Sequence, residues 1–164
     1  MSPPDVGAAL RDRMRSWFDA QDWHYEEFDS ALGVYAGGQS GEWPCVAEAR
    51  ADGIIVFSSL VVRPCPPARL PALMRALTRA NLGLPAGAFE LDLDTGEIRF
   101  RTSIDVGSDV ASLTDGLVDS VVFQNIVTMD QYLPAIERVV EGEDPDLVVA
   151  EVESSPRSGP NPVR

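Results

Sequence analysis

The sequence predicts an α+β fold, an antiparallel sheet with helices packed on it, in the order α-β-β-β-α-β-β-α. Three observations carry this. Two stretches alternate apolar and polar residues around turn dipeptides, Asp52-Gly53 and Thr95-Gly96, as hairpins do. Three stretches repeat apolar residues at helical spacing. Length sets the third limit: 164 residues suffice for one substantial core. Residues 1–142 are expected to form that single domain, with 143–164 as an acidic and then Pro/Ser-rich tail.

The elements follow in order. Asp5 can cap a first helix over 6–21, with Leu10, Met14, Trp17 and Phe18 on its apolar side. Residues 22–30 are polar and aromatic and read as a loop. Residues 32–36 form a short strand, ended by Gly37-Gly38. Around Asp52-Gly53, a two-residue turn sets Ala49 opposite Val56 and Cys45 opposite Leu60, and on the other face Glu48 opposite Phe57 and Val46 opposite Ser59. That second face then gathers Val46, Ile55, Phe57 and Val61, so the hairpin is apolar on much of both faces. A second helix layer or a partner protein must cover it. These four residues are the candidate partner-binding set.

Pro64, Pro66 and Pro67 end the strand, and a second helix follows over 68–81, with Pro71 in its first turn. In the second hairpin Phe89, Leu91 and Leu93 alternate with acids, and Ile98 and Phe100 with Glu97, Arg99 and Arg101. A register with Leu93 opposite Ile98 puts Asp92 against Arg99 and Glu90 against Arg101. Thr114 or Asp115 opens a last helical region, which Pro134 should kink or break near 128–133, with Asp130 as a second cap. The tail 143–164 reads as largely disordered, although 147–152 could add an edge strand.

Composition excludes much chemistry. The net charge is −13, and all thirteen bases are arginine. Without lysine there is no Schiff base and no lysine-dependent phosphate loop. An acidic surface repels phosphate backbones and anionic lipid, so neither nucleic acid nor membrane is expected as a partner. No apolar run reaches the roughly 20 residues of a membrane span, and no secretory block opens the chain, so the expected location is cytoplasmic.

His24, near Glu26 and Glu27, has no nucleophile motif beside it. Cys45 and Cys65 lack a CxxC partner and read as structural thiols. Glu90, Asp92 and Asp94 could be asked to hold a divalent metal for a hydrolase, but Gly96 comes one position early for a calcium loop and the distal glutamate is missing. No catalytic site, metal or cofactor is expected.

Two runs, LTRANLGLPAGAFELDLDTGEIRFRTSIDV and LTDGLVDSVVFQNIVTMDQYLPAIERVVEG, resemble the YbjN-like family, over roughly residues 5–141. Asn81, Gly83, Gly87, Phe89, Gly96, Arg99 and Arg101 match its pattern and read as turn and hairpin residues. The resemblance implies a type III secretion chaperone-like fold, in which small acidic homodimers bind segments of client proteins. It also implies a bacterial sensory transduction regulator. The expected function is therefore a non-enzymatic, chaperone-like or regulatory homodimer that binds a client or regulatory protein. The alternatives are a small-ligand sensor using the space between sheet and helices, and the metal-dependent hydrolase above.

Overall fold

The computed structural model describes residues 5–155. Helix α1 (Val6–Ala20) opens where Asp5 Oδ1 accepts the Ala8 amide at 3.0 Å, and it buries Leu10, Met14, Trp17 and Phe18. Strands β1 (Tyr25–Phe28), β2 (Ala31–Gly38), β3 (Gly41–Ala49) and β4 (Ile54–Leu60) follow as an antiparallel meander. Helix α2 (Leu70–Gly83) leads to β5 (Ala88–Leu91) and β6 (Ile98–Asp105), then to the long α3 (Asp115–Glu141) and to α4 (Pro145–Ser154). The six strands make one sheet in the order β1-β2-β3-β4-β6-β5.

The expected α+β class holds, with one more strand and one more helix than the sequence suggests. The strand is β1, where a loop was expected. Asp29-Ser30 is a two-residue turn between Phe28 and Ala31, and it pairs Tyr25–Phe28 with β2. The helix is α4, where a disordered tail or edge strand was expected. Asp144 caps it by accepting the amides of Asp146 and Leu147, Pro145 stands in the first turn, and Val148 and Val149 are buried against α2 and α3. The remainder of the tail, 156–164, lies outside the described residues.

Helices α1, α2 and α3 all pack on one face of the sheet, where one parity of strand residues forms the core. At its centre is a polar network. Asn125, fully buried on α3, donates from Nδ2 to the carbonyls of Phe57 and Phe100, both at 2.9 Å, and reaches Thr102 Oγ1 at 3.2 Å. Its Oδ1 accepts from Ser59 Oγ at 2.6 Å, and that oxygen accepts from Trp43 Nε1 at 2.9 Å. Thr102 Oγ1 donates to the Val121 carbonyl at 2.8 Å. A buried amide with every partner met fixes where α3 crosses β4 and β6, because any shift leaves desolvated groups unpaired.

Helix α3 is continuous through Pro134, so neither the expected break nor the cap at Asp130 occurs. Pro134 has no N–H for the Asp130 carbonyl four residues earlier. Ser40 supplies the donor instead, its Oγ lying 2.7 Å from Asp130 O. The Asp130 carboxylate in turn accepts the amides of Gln39 at 3.0 Å and Ser40 at 2.7 Å. The β2–β3 turn is thus docked on the proline site of α3.

Candidate protein-binding surface

The β3–β4 loop decides which residues face out. Arg50 N donates to Ile54 O at 2.8 Å and Gly53 N to Arg50 O at 3.1 Å, with Gly53 at φ +90°. The loop is therefore three residues, Ala51-Asp52-Gly53, with glycine in the left-handed position. One extra loop residue moves the register by one, and a one-residue slip exchanges the faces of a strand. Ala47 pairs with Phe57 and Ala49 with Ile55, not with their neighbours. Ile55 and Phe57 consequently lie in the core, 1% and 0% exposed, and Val61 is buried beside them. Of the four residues expected on a partner face, only Val46 stands on the face away from the helices. The doubly apolar hairpin was a consequence of the two-residue turn assumed for it.

An open face exists nonetheless, made from the other parity. One row across it reads Glu26, Gly33, Val46, Ser58, Arg101, Ala88; the next reads Phe28, Ala31, Glu48, Val56, Ser103. Apart from Glu26 and Glu48, the β1–β4 half is small or apolar, with Phe28 and Tyr35 exposed, at 56% and 76%. The β5–β6 half is charged. Glu90 takes Arg99 Nε and Arg101 Nε at 2.7 Å each. Burial pushes the Glu90 carboxyl up, and the two guanidinium groups more than offset it, so its pKa lies below the ordinary value.

The expected register of this second hairpin also changes, by two residues, so faces are kept and partners are not. Leu91 pairs with Ile98, and Glu90 lies opposite Arg99. Asp92 has no arginine partner at hydrogen-bonding distance among the described residues. Its Oδ1 accepts the amides of Asp94 and Thr95 within the turn, and those bonds hold its pKa down. Leu93 lies in this turn and is exposed.

The family-pattern residues have structural work here. Asn81 presents its amide to the free edge of β5, donating to Phe89 O at 3.0 Å and accepting from Phe89 N at 2.7 Å. It stands in for a neighbouring strand and blunts that edge. Phe89 packs on Phe100 and Tyr132. Gly87 and Gly96 both have positive φ; a Cβ on Gly87 would meet Phe100 Cζ at 2.7 Å, and one on Gly96 would overlap Cys65 O. Gly83 ends α2 in open surroundings.

The groups weighed for catalysis are dispersed. Cys45 is buried among Trp43 and Ser59, and burial pushes its thiol up to about 12. Burial also raises Cys65, with Arg69 opposing. Among the described residues no three His, Cys, Asp or Glu side chains are grouped to hold a metal ion. A void of about 10 Å³ between α2, α3 and α4 is too small for a metabolite. No helix among the described residues is long and apolar enough to cross a membrane.

His24 is exposed and lines a groove of about 730 Å³ formed by the 22–24 segment, β1 and the adjoining residues 33–35 of β2 and 44–46 of β3. Trp23, Tyr25, Phe28 and Tyr35 line it with Asp22 and Glu26. These aromatic residues are absent from the sequence-derived site because that reading makes β1 a loop. The signal was present: YEEF and ALGVY flank the Asp29-Ser30 turn.

A family model described as "YbjN: Putative bacterial sensory transduction regulator" matches residues 10–138. The chain belongs to the YbjN family. The crystal structure of YbjN from E. coli, described as "a putative transcription regulator", superposes with a TM-score of 0.54 at 17% identity, covering 88% of this chain and 91% of that one. A chain of the HopA1-SchA chaperone-effector complex gives a TM-score of 0.50 at 13% identity, covering 85% and 100%. An uncharacterized protein from Methanothermobacter thermautotrophicus gives 0.50 at 11% identity, covering 79% and 97%. No curated protein sequence matches. At these identities the structural neighbours establish the fold: this YbjN-family protein has the α+β architecture seen in a chaperone–effector complex.

Proposed function

We propose that this protein is a non-enzymatic protein-interaction module, chaperone-like or regulatory, that binds a segment of a client protein as a homodimer in the cytoplasm. One observation carries the reading. The β1–β4 half of the sheet carries Val46, Val56, Phe28 and Tyr35 on its outer face, interrupted by Glu26 and Glu48, and no helix of the described residues packs on it. Soluble domains seldom leave such a sheet face without a use. The regulator description of the family and the chaperone fold agree with a protein partner. Exposed Met74 and Leu82 give α2 an apolar surface on which the proposed dimer could be built.

Affinity capture from native lysate with the wild-type chain and a Val46→Asp/Val56→Asp variant tests the client surface. A protein recovered by the wild type and lost by the folded variant is the expected result. Identical captures would remove this face as the binding surface. Light scattering at high micromolar concentration should give twice the chain mass; a monomer would refute the homodimer.

A further inference from the structure

We infer that the aromatic groove beside β1 receives a cationic side chain, arginine or lysine, from an extended basic segment of the partner protein. The inference rests on the protein-binding reading above and adds the chemistry of the partner.

The groove is built before any partner arrives. Helix α1 ends at Ala20, with Gln21 as its cap, and Asp22 takes the left-handed conformation, φ +57°, which few non-glycine residues adopt. This reverses the chain so that Trp23 stacks on Phe18, with ring centroids 5.7 Å apart and planes 18° from parallel. Tyr25 packs on Phe18 at 5.8 Å, and Trp17 meets Trp23 edge-on at 5.7 Å. Across the sheet, Phe28 lies over Gly33, where any Cβ would displace its ring. Trp23 and Tyr25 are thus held by other rings, and little of their side-chain freedom is left to lose on binding.

The charge of the groove is one-sided. Asp22 and Glu26 line it, and neither carboxylate has an ion pair or side-chain hydrogen bond among the described residues. No arginine of the described residues lines it. Every arginine of the described residues is already held: Arg15, which approaches Tyr25, is bound by Asp12 and Glu27, and Arg11 by the Asp29 carbonyl. The chain therefore offers aromatic faces and two free carboxylates, and supplies no cation for them from the described residues. Ring faces attract a cation through their quadrupoles, and the carboxylates can take its N–H donors. A second copy presenting the same YEEF edge would bring glutamates against glutamates, which argues against the groove as a self-interface.

The test is a titration of the full chain, followed by the fluorescence of half-buried Trp23, with three peptides at 0.15 M salt. They are acetyl-Val-Arg-Val-Arg-Val-amide, its citrulline counterpart, which keeps shape and loses charge, and its glutamate counterpart. The arginine peptide should saturate below ~1 mM. The citrulline peptide should bind about tenfold more weakly, and the glutamate peptide not at all. Asp22→Asn/Glu26→Gln should weaken the arginine peptide about tenfold, whereas Asp109→Asn/Glu137→Gln, the same change in net charge made elsewhere, should leave it unchanged. Equal binding of arginine and citrulline peptides would overturn the cationic occupant while leaving the sheet face as a protein-binding surface. Absence of saturation with the arginine peptide would also overturn it. So would tighter peptide binding after removal of residues 156–164, which would assign the groove to the chain's own Arg157 and Arg164. A Tyr35→Asp variant that converts a dimer to monomer would assign it to a second copy.

Discussion

Replacing Ser40 with alanine should cost stability, and the cost should depend on Pro134, a residue far away in sequence. The Asp130 carbonyl is deprived of its helical donor by Pro134 and accepts the Ser40 hydroxyl at 2.7 Å. A hydrogen bond of this kind contributes about 1 kcal/mol net, and a half-buried carbonyl left without one loses up to about that again. Ser40→Ala should therefore destabilise by ~1–1.5 kcal/mol. With a urea slope of ~2 kcal/mol/M for a chain of this size, the midpoint falls by ~0.5–0.75 M. In a Pro134→Ala background the backbone regains an N–H at that position, which can bond to Asp130 O within the helix. Ser40→Ala should then cost no more than ~0.5 kcal/mol, leaving a coupling of about 1 kcal/mol in the double-mutant cycle. Urea unfolding of the four proteins, followed by circular dichroism, measures it. Equal costs of Ser40→Ala in the two backgrounds, within ~0.3 kcal/mol, would refute the compensation and leave Ser40 as an ordinary turn residue.

Three other outcomes follow from particular sites. Asn125→Ala removes the amide that meets Ser59, Phe57, Phe100 and Thr102, and should lower stability by ~3 kcal/mol in urea unfolding. Gly96→Ala forces a left-handed alanine whose Cβ overlaps Cys65 O, and should cost more than ~2 kcal/mol, whereas Gly107→Asn, at φ +54° in open space, should cost under ~1 kcal/mol by the same measurement. Arg138 pairs with Glu143 and Glu151, and Arg75 with Asp146, and these arginines hold the Glu143 and Asp146 pKa values below the ordinary range. Their contribution to α4 docking is therefore complete above the unfolded carboxylate pKa of about 4 and is lost as pH falls through the lower folded values. Amide protection factors in 145–154, corrected for the intrinsic exchange rate at each pH, should fall on acidification from pH 5 to pH 3 before those in β6 do, and simultaneous loss of protection would refute that order.

Much of the architecture was legible because local signals and global pattern agreed. Asp5 and Thr114 as caps, Pro71 in the first turn of α2 and the apolar stripe of α3 are all local. The errors arose where a local rule met a tertiary override. Pro134 should break a helix, yet Ser40 repairs the lost bond from a turn that no local window contains. The α4 helix was obscured by the acidic composition of its surroundings, although Asp144-Pro145 before Val148, Val149 and Val152 is a cap followed by an apolar stripe. The arginines that neutralise its acids lie on α2 and α3, and sequence proximity does not reveal them.

The binding surface depended on a single backbone count. A two-residue loop at Asp52-Gly53 and a three-residue loop at Ala51-Asp52-Gly53 both place glycine at positive φ, so composition does not distinguish them. The two differ in parity, and parity decides whether Phe57 or Val56 faces outward. Core volume decides between them: Phe57 fills the space under Asn125, whereas Val56 in its place would leave a cavity and put a phenylalanine in water. The same comparison explains why the open face is modest along β3 and β4. Its larger apolar groups, Phe28 and Tyr35, lie near the β1 edge, next to the two unpaired carboxylates. The opposite edge is closed by Asn81 at Phe89, while β1 has no such side-chain clamp among the described residues. Aromatic surface, unpaired charge and an unblunted strand edge therefore coincide on one side of the sheet, and a partner that binds this protein as an extended segment gains from all three only there.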